Sequence, residues 1–132
     1  MRRRAACVCG QLEVTASGDP VVVYVCHCRS CQRRTGSVFG SGARFRAEQV
    51  SVAGPSRVFE RVSEEGVTRM FHFCPDCGTT VFAQTPSIPG YVTVFVGAFA
   101  DPAFPPPTDS LHEASRHGWV TIPGIEPDSA PP

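Results

Sequence analysis

The residues CPDCG, at positions 74–78, place two cysteines at the spacing of a metal-binding turn. A tight turn over these residues brings the two thiols together and lets backbone amides point at the first sulfur. Pro75 fixes one backbone angle of the turn, and Gly78 permits the positive φ that often closes it. Because a structural zinc site needs four ligands, this motif predicts that another part of the chain supplies two more.

A second pair of cysteines lies near the start of the chain, in CVCG. Alternate residues of an extended strand face the same side, so Cys7 and Cys9 are expected to point together. Combined with Cys74 and Cys77, they give a four-sulfur site in which neighbouring sulfurs lie about 3.8 Å apart. Such a site acts as a structural clamp, because it ties the N-terminal strand to the middle of the chain.

The three remaining cysteines occur together in CHCRSC, as Cys26, Cys28 and Cys31. Cys26 and Cys28 are expected on one strand face, with Cys31 on the first turn of the following helix. Three protein ligands with an open fourth position are typical of a catalytic zinc ion. Ligand counting therefore favours one closed and one open site.

Spacing alone leaves a second arrangement open, in which a histidine completes the second site and both sites are structural. His27 is expected to face away from the metal because it lies between two ligands on a strand, whereas His72 can share a face with Cys74. The chain contains four histidines: His27, His72, His112 and His117.

The composition indicates a cytoplasmic protein of globular type. The chain has 132 residues, 42% of them hydrophobic and 18% charged, and it lacks an apolar run long enough for a bilayer helix. Seven cysteines is an odd number, and closely spaced pairs in a reducing compartment favour metal binding over disulfides. We expect a single zinc-binding β domain at residues 5–124, with flexible tails at 1–4 and 125–132.

The hydrophobic patterns predict a mainly β fold with antiparallel sheets and one or two short helices. Residues 11–16 alternate cleanly, and residues 21–25 and 91–97 are continuous runs of β-branched and aromatic residues. Further strands are expected at 56–62, 67–73 and 79–85. The two segments with helical character are 29–36, ending at Gly36, and 109–117, where Asp109 or Ser110 would cap the start.

The three cysteine motifs, in this order, resemble the glutathione-dependent formaldehyde-activating enzyme family, which includes centromere protein V. The family pattern is C-x-C-G, then C-H-C-x-x-C, then F-C-x-x-C-G, and the chain carries CVCG, CHCRSC and FCPDCG. The resemblance spans residues 5–124. One departure is SRHGW at 115–119, where relatives often have proline in place of the glycine.

The resemblance implies a β-rich fold pinned by zinc, similar in architecture to methionine sulfoxide reductase B. It also implies two zinc ions per chain: a structural one on Cys7, Cys9, Cys74 and Cys77, and a catalytic, more labile one on Cys26, Cys28 and Cys31. The implied activity is that of a carbon–sulfur lyase resembling S-(hydroxymethyl)glutathione synthase. Its expected partners are a small thiol, glutathione, and a small aldehyde, formaldehyde.

A non-catalytic zinc module that recognises protein or nucleic acid is the alternative function. Twelve basic and twelve acidic residues balance, which argues against nucleic-acid or membrane partners. For the enzyme, Arg33, Arg34 and Arg116 are candidates to receive a substrate carboxylate. His112 is a candidate for proton transfer.

Overall fold

A computed structural model describes residues 1–126, so residues 127–132 of the expected C-terminal tail lie outside the described chain. The described residues form ten strands, one α-helix and three short 3₁₀ segments. The mainly β prediction is confirmed. The strands are β1 (Arg2–Ala6), β2 (Glu13–Ser17), β3 (Val22–Cys26), β4 (Gly40–Arg46), β5 (Val50–Ala53), β6 (Arg57–Val62), β7 (Thr68–Phe73), β8 (Thr80–Gln84), β9 (Tyr91–Phe95) and β10 (Asp109–Leu111).

The helix is α1 (Arg29–Thr35), and the 3₁₀ segments are Ala47–Gln49, Val96–Phe99 and Glu113–Ser115. Over residues 1–126, no helix has the length and apolar character needed to cross a membrane.

The chain divides into two compact units, where the sequence predicted a single domain over residues 5–124. Unit 1 combines Met1–Val21 with Ala43–Phe104. Unit 2 combines Val22–Gly42 with the described part of Pro105–Pro132. Strand β4 crosses the division in the chain, because it runs from Gly40 to Arg46.

The first sheet of unit 1 has the order β1-β2-β5, with antiparallel pairs. Its alternating residues pack inward, and Ala5, Leu12, Val14 and Ala16 are fully buried. The flexible tail expected at residues 1–4 is wrong for Arg2–Arg4, because these residues pair with β2. Arg3 is also held through its side chain, which donates a 3.0 Å hydrogen bond to the carbonyl of Gly18.

The second sheet of unit 1 has the order β4-β9-β8-β7-β6, with β4 contributing from Ala43 onwards. The pairs β6–β7, β7–β8 and β8–β9 are antiparallel. The strands predicted at 56–62, 67–73, 79–85 and 91–97 are confirmed. Its buried residues come chiefly from β8 and β9: Val81, Phe82, Ala83, Val92 and Val94.

In unit 2, β10 pairs in parallel with β3, and Leu111 lies opposite Cys26. The helix predicted at 109–117 is therefore wrong. The amide of His27 donates to the carbonyl of Leu111 at 2.9 Å, so pairing between strands satisfies groups that a helix would have used internally. His112 adopts a left-handed φ of 56°, and the 3₁₀ turn Glu113–Ser115 follows it.

Gly54 follows β5 and has a φ of +96°, and a Cβ atom there would lie 1.8 Å from the backbone carbonyl oxygen of Gln11. We expect Gly54→Ala to lower the free energy of unfolding by about 2 kcal/mol or more, because backbone strain and a backbone clash add together. Urea unfolding of the metal-loaded protein measures this loss. The control is Gly66→Ala, at φ +82° with nothing within 4 Å, for which strain alone costs about 1 kcal/mol. Equal losses for the two variants would contradict the expectation.

Candidate metal centres

The four-cysteine cluster comprises Cys7, Cys9, Cys74 and Cys77, and all of it lies in unit 1. Its four sulfurs lie within 4.8 Å of one another. The Sγ atoms of Cys7 and Cys9 are 3.6 Å apart, as are those of Cys9 and Cys74. These separations match neighbouring ligands of a tetrahedral zinc–thiolate site, so the donor set fits such an ion. The four cysteines that ligand counting grouped lie together in the structure.

Two short loops build this cluster. Cys7 and Cys9 follow β1, and Cys74 and Cys77 follow β7. The turn that contains Cys74 closes as its spacing predicts. The amide of Gly78 donates to the carbonyl of Cys74 at 2.9 Å, and the φ of Gly78 is +78°.

Hydrogen bonds to the sulfurs favour their thiolate forms. The amide of Leu12 donates to Cys7 Sγ at 3.3 Å, and Gln11 Nε2 donates to Cys74 Sγ at 3.1 Å. A hydrogen bond with the Thr79 hydroxyl lowers the pKa of Cys77 to about 5. Nothing in the cysteine spacing marks Gln11 and Thr79, so the cysteine motifs alone do not predict their place in the cluster. Their only sequence signal is that each lies two residues beyond a cysteine.

The three-cysteine cluster comprises Cys26, Cys28 and Cys31, and all of it lies in unit 2. Cys26 is buried at the end of β3, while Cys28 and Cys31 are half-buried. Cys28 is extended and caps α1, where its sulfur accepts a 3.3 Å hydrogen bond from the amide of Cys31. The three sulfurs also lie within 4.8 Å of one another, so they fit one shared metal ion.

The thiols of Cys26 and Cys31 have pKa values shifted in opposite directions. The pKa of Cys31 is lowered to about 5, chiefly by the hydrogen bond with Cys26 and also by the positive charge of Arg34. The same hydrogen bond, together with burial, raises the pKa of Cys26. A Cβ atom on Gly40 would lie 3.0 Å from Arg34 Nη2 and 3.3 Å from Cys31 Cβ. Gly40 therefore leaves the room that Arg34 occupies beside Cys31.

Within residues 1–126, no histidine or carboxylate joins either cluster. His72 stacks on Phe82 and is 3.0 Å from Gln84 Oε1, so it does not serve as a further ligand. His117 is 2.9 Å from Gln32 Oε1. His112 is exposed. Among residues 1–126, the three-cysteine cluster thus has three ligand atoms close enough to share an ion.

His27 is fully buried and turns away from the cysteines, as its place between two of them predicts. Its Nε2–H donates to Ser110 Oγ at 3.1 Å, because the Ser110 hydroxyl itself donates to Glu113 Oε1. Burial lowers the pKa of His27, which favours the neutral ring. His27 therefore has a structural place in unit 2.

Glu113 continues this buried network. It accepts a 2.8 Å hydrogen bond from Arg116 Nε, and Arg116 Nη1 donates to the carbonyl of Val120 at 3.1 Å. The hydrogen bond from Ser110 lowers the pKa of Glu113 below its usual range. Arg116, a candidate for a substrate carboxylate, is thus already paired within the protein. Arg33 is exposed on α1.

We expect Glu113→Gln to lower the free energy of unfolding by about 2 kcal/mol, because Arg116 would lose its buried counter-charge. Chemical unfolding of the metal-loaded protein measures the effect. Glu64→Gln is the control, since Glu64 is exposed on the β6–β7 connection, and it should change stability by less than about 0.5 kcal/mol. A Glu113→Gln variant as stable as this control would show that the network adds nothing.

The comparisons with known proteins agree with this architecture. A crystal structure of a Rhodobacter sphaeroides protein, a structural genomics target, is similar in fold, with a TM-score of 0.56 and 22% sequence identity. The similarity covers 72% of this chain and 85% of that one. A search of curated proteins found no significant match. The model of the glutathione-dependent formaldehyde-activating enzyme family matches residues 2–116, so the chain belongs to this family.

Proposed function

We propose that this protein is a zinc-dependent carbon–sulfur lyase that catalyses the reversible addition of a thiol, glutathione, to formaldehyde or a related small aldehyde. The observation that carries the proposal is the three-cysteine cluster, which offers three sulfurs and, among residues 1–126, no fourth protein ligand. Cys28 and Cys31 are partly accessible to solvent, so an outside donor can reach them. Membership of the family supports the choice of glutathione and formaldehyde.

The chemistry of the donors supports zinc as the metal in both clusters, because thiolates select soft or borderline ions. Cys26, Cys28 and Cys31 would hold the catalytic ion, and the four-cysteine cluster would hold the structural one. A zinc ion with an open position supplies a site where a substrate thiol loses its proton near neutral pH.

The reaction conserves atoms and electrons within its two substrates. The thiol sulfur forms a bond to the carbonyl carbon, and the π electron pair moves to the oxygen. That oxygen then takes up the proton that the thiol released. The reverse reaction breaks the same carbon–sulfur bond and returns the proton to sulfur. No redox partner is needed.

The chain's own groups prepare the site for this reaction. Arg34 places a positive charge beside Cys31, which keeps that sulfur a thiolate and so a ligand. The amide of Cys31 donates to Cys28 Sγ and fixes its direction. The network of His27, Ser110 and Glu113 holds the strand that ends at Cys26 against β10.

Exchange spectroscopy by NMR tests the activity directly. The exchange between free formaldehyde and its glutathione adduct is measured with and without the zinc-loaded protein. We expect the protein to accelerate this exchange above the spontaneous rate. An unchanged rate with glutathione, and with other small thiols and aldehydes, would reject the enzyme proposal in favour of a non-catalytic zinc module.

Cysteine substitutions in the two clusters should have different effects. Cys28→Ser should return the exchange to its spontaneous rate while the fold persists, because serine still caps the helix. Cys77→Ser should unfold the protein, because structural zinc contributes on the order of 10 kcal/mol of binding free energy to folding. Circular dichroism and the exchange assay measure the two effects. If both variants unfold equally, the three-cysteine cluster is structural.

Zinc removal should occur in two steps. We expect about two zinc ions per chain, from four and three thiolate ligands respectively. A mild chelator should remove the ion of the three-cysteine cluster first, and catalysis should be lost with it while the circular dichroism spectrum stays unchanged. Zinc analysis of the dialysed protein provides the measurement. Loss of structure with the first ion released would contradict this order.

A further inference from the structure

Unit 1 has a shallow, open pocket on its second sheet, whose empty space of about 270 Å³ includes open solvent. Its lining comes from four strands or their ends, with Arg44, Arg69, Thr85, Tyr91 and Thr93 supplying the polar groups. The register of the sheet brings them together. Met70 pairs with Gln84, which places Arg69 and Thr85 side by side along the neighbouring paths of β7 and β8. Ala83 pairs with Thr93, which brings β9 beside them. The pocket is thus a product of strand pairing.

The two arginines of this pocket lack a counter-charge. Both are half-buried, and among the residues that the structure describes neither has a carboxylate within 4 Å. The guanidinium of Arg44 lies 6.0 Å from the centre of the Tyr91 ring, a contact that stabilises a cation but leaves its hydrogen-bond donors available. Partly burying two cations without an anion costs free energy, which a bound anion would offset.

The rest of the lining suits an organic anion. The hydroxyls of Thr85, Thr93 and Tyr91 are hydrogen-bond donors, and no acidic residue lines the pocket. Ile88 adds an apolar wall from the loop after β8. Two guanidinium groups match the planar, paired oxygens of carboxylate and phosphate groups.

We propose that this pocket binds a small organic molecule through an oxyanion group, a carboxylate or a phosphate, with Arg44 and Arg69 providing the positive charge. The pocket shares no lining residue with either cysteine cluster. The inference therefore goes beyond the thiol–aldehyde reaction and stands independently of it.

NMR titration of the full-length, zinc-loaded protein tests this proposal. Succinate and methyl phosphate are the two probes, added at constant ionic strength while the arginine Nε–Hε signals are recorded. We expect saturable shifts at Arg44 and Arg69 with at least one probe, with a dissociation constant of about 1 mM or tighter. Preference for succinate or for methyl phosphate identifies the oxyanion. Succinamide, which is neutral, and chloride should produce no saturable shift.

Substitutions locate the binding. Arg69→Gln should weaken binding about tenfold, since a charge-assisted hydrogen bond is lost. Arg57→Gln removes the same charge from an exposed position on β6 and should leave the affinity unchanged. Thr93→Val removes one hydroxyl without changing the charge, so it provides a second readout if Arg69→Gln does not fold. Equal loss in Arg57→Gln, an unaffected Thr93→Val together with an unaffected Arg69→Gln, or saturation by chloride would overturn the proposal.

Discussion

The fold of unit 1 depends on the four-cysteine cluster, in which sulfurs far apart in sequence lie close together. Cys9 and Cys74 are 65 residues apart along the chain, yet their sulfurs lie 3.6 Å apart. Four thiolates at such distances repel one another unless a cation lies among them, so an ion held there would stabilise the fold. The contact connects the end of β1 with the end of β7, and so it joins the two sheets of unit 1. The backbone amide of Leu12 and the side-chain amide of Gln11 also donate hydrogen bonds to sulfurs of this cluster.

The two clusters are built in a similar way but differ in the number of sulfurs that they offer. In each, a pair of cysteines separated by one residue is joined by further thiols: two from a turn in the four-cysteine cluster and one from α1 in the three-cysteine cluster. Every cysteine of a cluster comes from one compact unit. The four-cysteine cluster offers enough sulfurs to fill a tetrahedral ion's coordination. The three-cysteine cluster offers three, with no fourth ligand among the described residues, and a cationic side chain, Arg34, lies beside one of its sulfurs. The two clusters could therefore hold ions with different coordination in one small protein.

The sequence predicted what is governed by local geometry. The turn at Cys74, the cap at Gly36 and the alternation of β2 depend on a few neighbouring residues, and the structure contains all three. Errors arose where distant backbone decided the outcome. Arg2–Arg4 are ordered by β2, and residues 109–111 pair with β3 in place of forming a helix. The hydrogen bond between His27 and Ser110 spans 83 residues of sequence, so no periodic pattern in the sequence predicts it.

The hydrogen bond that caps α1 links the first turn of this helix to the three-cysteine cluster. The sulfur of Cys28 accepts a hydrogen bond from the Cys31 amide, which has no partner within the helix. The same sulfur belongs to the three-cysteine cluster. Electron density that this sulfur gives to an ion is withdrawn from the hydrogen bond to that amide. The first turn of the helix thus has a backbone proton whose chemical shift reports the occupancy of the cluster. The protein carries its own spectroscopic probe at that position, without any added label.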